Sequence, residues 1–226
     1  MSSAEAQTDN PHLAHHFESV EQQEESCTLG MWLFLAQEVM FFGGLFMAYA
    51  VYRYMYFDAW YAGSHHLNVS IGGFNTVVLL VSSFTMAMGV YFCQIGNSKW
   101  LFRMLGLTLI LGIAFVGLKW WLEYTPKFHD GLFPGSGWGP KGHYADLANF
   151  KDQGALQLFF IFYFIMTGMH AFHMVIGFVI LLVLMWMTKQ NKFGPQRYMP
   201  ILFFGLYWHF VDIVWVFLFP MFYLVT

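Results

Sequence analysis

Five stretches of this chain are long enough and poor enough in charge to cross a bilayer, and that constrains the fold before anything else does. In hydrocarbon every backbone N–H and C=O must be paired within the segment, so a helix of about 20 apolar residues is the economical way to cross about 30 Å. Leu29 to Tyr52 carries one ionisable residue, Glu38. The stretches from about Ile71 to Ile95 and from Ala155 to Met187 hold no Asp, Glu, Lys or Arg. Leu101 to Leu122 has Arg103 near its start and Lys119 near its end, and Tyr198 to Val225 carries His209 and Asp212. The predicted fold is all-α: a polytopic membrane bundle of five transmembrane helices over residues 29–226, preceded by an acidic, His-containing tail over residues 1–28. Only 10% of the residues are charged, against roughly a quarter in soluble domains, so lipid must solvate this surface.

The charge pattern excludes other classes. A net charge of −3 leaves no basic stripe to track nucleic-acid phosphates. Cys27 and Cys93 offer no disulfide framework and no thiolate cluster. Met1 to Ser26 contains no Lys or Arg and no apolar core of a secretory signal, so internal segments are expected to direct insertion. Lys99 and Arg103 follow the second span, and Lys189, Lys192 and Arg197 the fourth, against Arg53 alone after the first. The positive-inside rule then puts the N-terminus in the cytoplasm and the C-terminus outside. The segment at about 124–154, rich in Gly, Pro and aromatics, reads as an outer, turn-rich lid. In the tail, Leu13, Phe17 and Val20 recur at i, i+4, i+7, a short amphipathic pattern, and His12, His15 and His16 among six acids suit a proton-exchanging surface.

Ionisable groups in a membrane span are costly, so each asks for a partner. Glu38 sits about 13 Å into its helix at 1.5 Å per residue. It is either a neutral carboxyl that fixes helix packing or a group with a proton, lipid or oxygen-path role. His170 and His173 share a helix face, as do His209 and Asp212. They read as an interhelical polar network, with a haem held between His209 and one of the other two as the alternative. Lys119 and Glu123, i and i+4 near a helix end, are expected to snorkel to the interface as an anchoring pair. Gly44/Ala48 and Ser83/Ala87 have the spacing of close helix contacts. No motif of a self-contained catalytic site or metal site stands out.

The blocks LGMWLFLAQEVMFFGGLFMAYAVYR, FNTVVLLVSSFTM, TGMHAFHMVIG and YWHFVDIVWVFLFP occur in that order. Together they resemble subunit III of the haem-copper cytochrome c oxidases, in its shorter five-helix bacterial form. The resemblance implies a non-redox membrane subunit of a proton-pumping terminal oxidase that reduces oxygen to water. In such a complex haem and copper reside in partner subunits and none in this chain. It implies packing against subunit I, with subunit II and a small subunit IV nearby, bound phospholipid, support of proton uptake and oxygen guidance, and membership of a respiratory supercomplex in the bacterial plasma membrane. Cytochrome c is the expected donor. A quinol oxidase subunit or the accessory protein of a nitric oxide reductase is the alternative within the family, and a haem b membrane anchor the alternative from another class. By motif position Glu38 matches the family's buried carboxylate, His170 and His173 its paired histidines, and His209 with Asp212 its last-helix pair.

Overall fold

The computed structural model describes residue 17, residues 19–135 and residues 137–225. His12, His15, His16 and Leu13 lie outside the described residues. The described residues are 84% helical, with no strand among them. In chain order the helices are α1 (Val20–Met55), α2 (Phe57–His65), α3 (Val69–Gln94), α4 (Ser98–Leu118), a π-helical segment (Lys119–Tyr124), α5 (Thr125–His129), a 3-10 segment (Gly142–Asn149), α6 (Gln153–Lys189) and α7 (Met199–Tyr223). Among the described residues five helical stretches are long and apolar enough to cross a membrane: Val20–Met55, Val69–Gln94, Ser98–His129, Gln153–Lys189 and Met199–Tyr223.

Two boundaries differ from the sequence reading. The first helix begins at Val20 rather than Leu29, because Glu and Gln are good helix formers and continue the helix through polar sequence that hydropathy ignores. The predicted lid contains helix at both ends, α5 running on from the π-helical segment and the 3-10 segment preceding α6. The short α2 between the first two spans is an element that the span pattern did not anticipate.

The chain divides into two compact units at Gly43/Gly44, with α1 contributing to both. In the first unit Glu38 and Phe42, one turn apart, are buried, whereas Trp32, Leu33, Val39 and Met40 are exposed.

In the second unit α3, α4, α6 and α7 form a ring in which α3 packs on α4 and α7, and α6 packs on α4 and α7. Local chemistry sets the ends of these helices. Asn68 caps α3 by accepting from the Ile71 N–H (3.2 Å), Asn97 caps α4 at Trp100 (3.3 Å), and Asp152 caps α6 at Ala155 (3.0 Å). The α3–α4 hairpin closes on Gly96 at φ +77°. The Asn97 N–H there donates to the Phe92 carbonyl at 2.9 Å, and only glycine takes that backbone conformation without strain. Outward faces carry apolar side chains such as Phe84, Ile110, Ile113, Val179 and Phe217. Inward faces hold fully covered aromatics and, unusually for a core, many polar groups.

The helices meet tightly around Trp208 of α7. Its indole lies against Gly112 of α4 and Gly177 of α6, where an added Cβ would stand 3.1 and 2.8 Å from ring carbons. Its N–H donates to Ser82 Oγ of α3 at 3.2 Å, so one side chain joins all four helices of the ring. Gly112 and Gly177 are thus two of the close contacts, with Gly63 against Phe159 and Gly72 against Phe219, while a Cβ on Gly44 would meet nothing within 4 Å. In the same unit the Tyr49 hydroxyl donates to the Met221 carbonyl and its ring packs edge-on against Trp60 and Phe222.

Candidate functional site

The buried stripe of α4 runs Leu101, Leu105, Thr108, Gly112, Phe115. Steps of three and four residues carry it onward to Lys119, Glu123 and Lys127, which are 4%, 2% and 2% exposed. This corrects the expectation that Lys119 and Glu123 reach the interface. Their stems start on the inward face of the helix, so they cannot snorkel outward, and it is Trp120, Trp121 and Leu122 that face out. The ion pair itself forms, with Lys119 Nζ 2.6 Å from Glu123 Oε2.

Around that pair the bundle supplies a polar knot. Lys119 donates to Glu123 Oε2 and to the Tyr223 hydroxyl, which in turn donates to Glu123 Oε2. Tyr163 of α6 donates to the same oxygen at 2.6 Å. Lys119 Nζ lies 4.8 Å from the Trp215 ring centre, 4.9 Å from Tyr163 and 5.0 Å from Tyr223, an aromatic cage that suits a desolvated cation. Lys127 Nζ donates to the Glu123 backbone carbonyl at 3.3 Å and lies 5.1 Å from the Tyr163 ring centre. Tyr124 donates to Thr167 Oγ1 at 2.6 Å, whose own proton goes to the Tyr163 carbonyl. Glu123 Oε1 has no hydrogen-bond partner among the described residues. The π-helical turn brings Glu123 and Tyr124 inward together, and such turns often mark functional positions.

The other predicted residues are dispersed along the bundle rather than gathered. His170 Nε2 donates to the Val211 carbonyl of α7 at 3.2 Å, and its ring packs against Phe115 and Trp215. His173 Nδ1 donates to the Met169 carbonyl of its own helix at 2.8 Å, and the His173 carbonyl accepts from Tyr207 at 2.8 Å. His209 is engaged at Nδ1 by Ser83 of α3 at 2.7 Å, not by Asp212 one turn away. Asp212 is buried near Ser83, but neither carboxyl oxygen has a hydrogen-bond partner among the described residues. Between α3 and α4 the Thr85 and Thr108 hydroxyls meet at 2.8 Å. Asn75 of α3 is fully buried with both amide atoms unpartnered among the described residues. No group of three or more His, Cys, Asp or Glu gathers as a metal site among the described residues. Sequence reasoning missed Tyr163, Tyr223, Lys127 and Tyr124; extending the α4 stripe past Phe115 points to Lys127, whereas the tyrosines come from other helices.

Apolar outward faces and polar groups bonded inward define an integral membrane helical bundle. The family model described as "Cytochrome c oxidase subunit III" matches residues 154–226, which take in α7 and all but the first residue of α6. A protein of Nocardia farcinica named "Probable cytochrome c oxidase subunit 3" is 33% identical over 198 residues, 88% of this chain and 87% of its own length. "Cytochrome c oxidase subunit 3" of Corynebacterium diphtheriae is 32% identical over 85% of this chain and 84% of its own. The protein of that name from Synechocystis sp. is 31% identical over 86% of this chain and 74% of its own. The chain belongs to the cytochrome c oxidase subunit III family. As such it is part of an oxidoreductase complex with other oxidase subunits.

Proposed function

We propose that this chain is a non-redox subunit of a proton-pumping aerobic oxidase, steadying subunit I while haem and copper work in partner subunits. The observation that carries the reading is similarity to subunit III relatives over 88% of the chain. The hydrogen bonding supports it: His170 Nε2 and His173 Nδ1 are spent on carbonyls and His209 Nδ1 on Ser83, so a haem held between these histidines would have to break bonds the fold already uses. Glu38, buried on α1, is the residue assigned to proton, lipid or oxygen handling, and His12, His15 and His16 to proton collection. The chain sits in the bacterial plasma membrane with its N-terminus in the cytoplasm, beside subunits I and II and a small subunit IV, holds phospholipid, and serves a complex that takes electrons from cytochrome c.

Native purification through a tag on this chain in mild detergent tests the reading, with mass spectrometry and a reduced-minus-oxidised spectrum of the eluate and of the separated chain. Haem and copper co-purifying in larger subunits with a colourless isolated chain is the expected result. A haem spectrum retained by the isolated chain overturns it. The donor is read from the same eluate, since a copper-bearing subunit II accompanies cytochrome c oxidation and its absence points to quinol.

A further inference from the structure

Asn75 of α3 is wholly covered, yet neither its amide oxygen nor its amide nitrogen has a hydrogen-bond partner among the described residues. Its level in the bundle follows from its neighbours. Ser82 and Thr85 of α3 both meet Thr108 across the α3–α4 hairpin. Asn75 lies seven residues before Ser82 and ten before Thr85, so on the antiparallel partner it comes level with the turn from Phe115 to Leu118, just before Lys119. On the α7 side the next residue, Thr76, accepts from the Trp215 indole N–H at 3.0 Å. Gly72, about one turn earlier on the face of Asn75, would put a Cβ 3.0 Å from the Tyr223 ring. Trp215 and Tyr223 are walls of the cage around Lys119. The unpaired amide therefore borders the polar knot.

The knot has open positions of its own. Glu123 turns Oε2 to Lys119, Tyr163 and Tyr223, and its buried Oε1 has no partner among the described residues. Lys119 uses two of its three N–H groups, on Glu123 and Tyr223, and Lys127 uses one, on the Glu123 carbonyl. What stays open is a mixture: acceptor oxygens on Asn75 and Glu123, and donors on Asn75 and both lysines. Buried groups of this kind are almost always hydrogen-bonded, to protein or to held water. A cation placed here would face two ammonium groups, and an anion would face the Glu123 carboxylate. Water suits both kinds of group, since it donates to the oxygens and accepts from the N–H groups. It also has a short way in, because Tyr223, whose hydroxyl closes the knot, lines with Ser64, His65 and Leu67 a basin of about 470 Å³ between α2 and the end of α7. We infer that internal water is held in the bundle between Asn75 and the Glu123 carboxylate, bonded to the Asn75 amide, to Glu123 Oε1 and to the open N–H groups of Lys119 and Lys127. Asn75 thereby joins α3 to the knot through water, where α4, α6 and α7 reach it directly.

The test uses the intact complex purified in mild detergent, wild type beside Asn75→Leu, which keeps the size of the side chain and removes both amide groups. X-ray radiolysis generates hydroxyl radicals from water in place, so it labels even buried side chains that touch held water, and mass spectrometry reads the label. Tyr163 and Trp215, 0% and 1% exposed, are expected to be labelled in the wild type and to lose most of that label in Asn75→Leu, while exposed Trp121 keeps its own. A map of the wild-type complex that shows ordered solvent is expected to carry density about 3 Å from the Asn75 amide and from Glu123 Oε1. Unlabelled Tyr163 and Trp215 in the wild type, or equal labelling in the two proteins, overturns the inference. So does a map in which the amide and Oε1 bond directly to protein groups or face no density. Should Asn75→Leu fail to assemble, the wild-type labelling and map decide alone.

Discussion

Replacing Glu123 by Gln keeps the size of the side chain and an acceptor oxygen for Tyr163 and Tyr223, but deletes the negative charge between two buried lysines. Lys119 and Glu123 are 4% and 2% exposed, so water screens little of their attraction. Removing one partner of a buried pair costs about 3–5 kcal/mol, chiefly because the other charge is left uncompensated. Glu123→Gln falls in the upper part of that range, since Lys127 also loses its nearest anion and Oε2 gives up three charge-assisted hydrogen bonds. Lys119→Met costs about 3 kcal/mol, because both tyrosines still hold the carboxylate and Lys127 remains near it. In the double variant both charges of the pair are gone and Met fills the aromatic cage, so its cost is expected to stay below that of Glu123→Gln alone. The coupling, the sum of the two single costs less that of the double variant, is then about 3 kcal/mol or more. Reversible unfolding of the purified subunit in mixed micelles, titrated with a denaturing detergent, measures all three. Additive single costs, or a Glu123→Gln cost under about 1 kcal/mol, would refute a charge-paired knot and leave only packing.

Gly177→Ala should cost about 1–3 kcal/mol by pushing a methyl into Trp208, while Gly44→Ala should be near neutral, both read by thermal unfolding of the complex. His66 fastens the 3-10 segment to α2 by pairing with Asp146 at 2.9 Å, and that hydrogen bond holds the Asp146 carboxyl below the usual carboxylate range. A depressed carboxyl contributes stability above its unfolded value, about 3.9, and loses it as pH falls through the lower folded value. The difference in hydrogen exchange between Asp146→Asn and wild type over residues 142–149 should therefore shrink as pH falls below about 4. Glu38→Gln should leave the complex assembled and show lowered turnover or faster inactivation during oxygen consumption; full activity and lifetime would return Glu38 to a packing role. Glu38→Ala should assemble less well, through the gap it opens and the partner it leaves.

The five spans were legible because hydropathy over 18 or more residues is a collective signal that no single side chain can mask. The start of α1 was not, since Glu21 to Glu25 are polar yet compatible with helix. Lys119 and Glu123 were recognised as a pair but turned the wrong way, because nearness to a helix end was weighed over the phase of the stripe from Leu101 to Phe115. Residues spaced i, i+3 on one helix can meet, but His209 bonds to Ser83 instead of Asp212, a choice settled by the packing of α3 on α7. Tyr163 and Tyr223 lie 40 and 100 residues from Glu123 in sequence, and no local pattern announces partners at that distance.

The π-helical turn between Lys119 and Tyr124 holds one residue more than an α-helical turn would, so it behaves as an insertion absorbed without a loop. Deleting any one of Trp120, Trp121 or Leu122 would let the helix revert to its ordinary winding with Lys127 seven residues, about two turns, beyond Lys119 and so still on the buried face. Glu123, brought to three residues from Lys119, is the side chain that would be displaced within the knot. The extra residue thus sets where the carboxylate stands between the two lysines, while the helix beyond keeps its face.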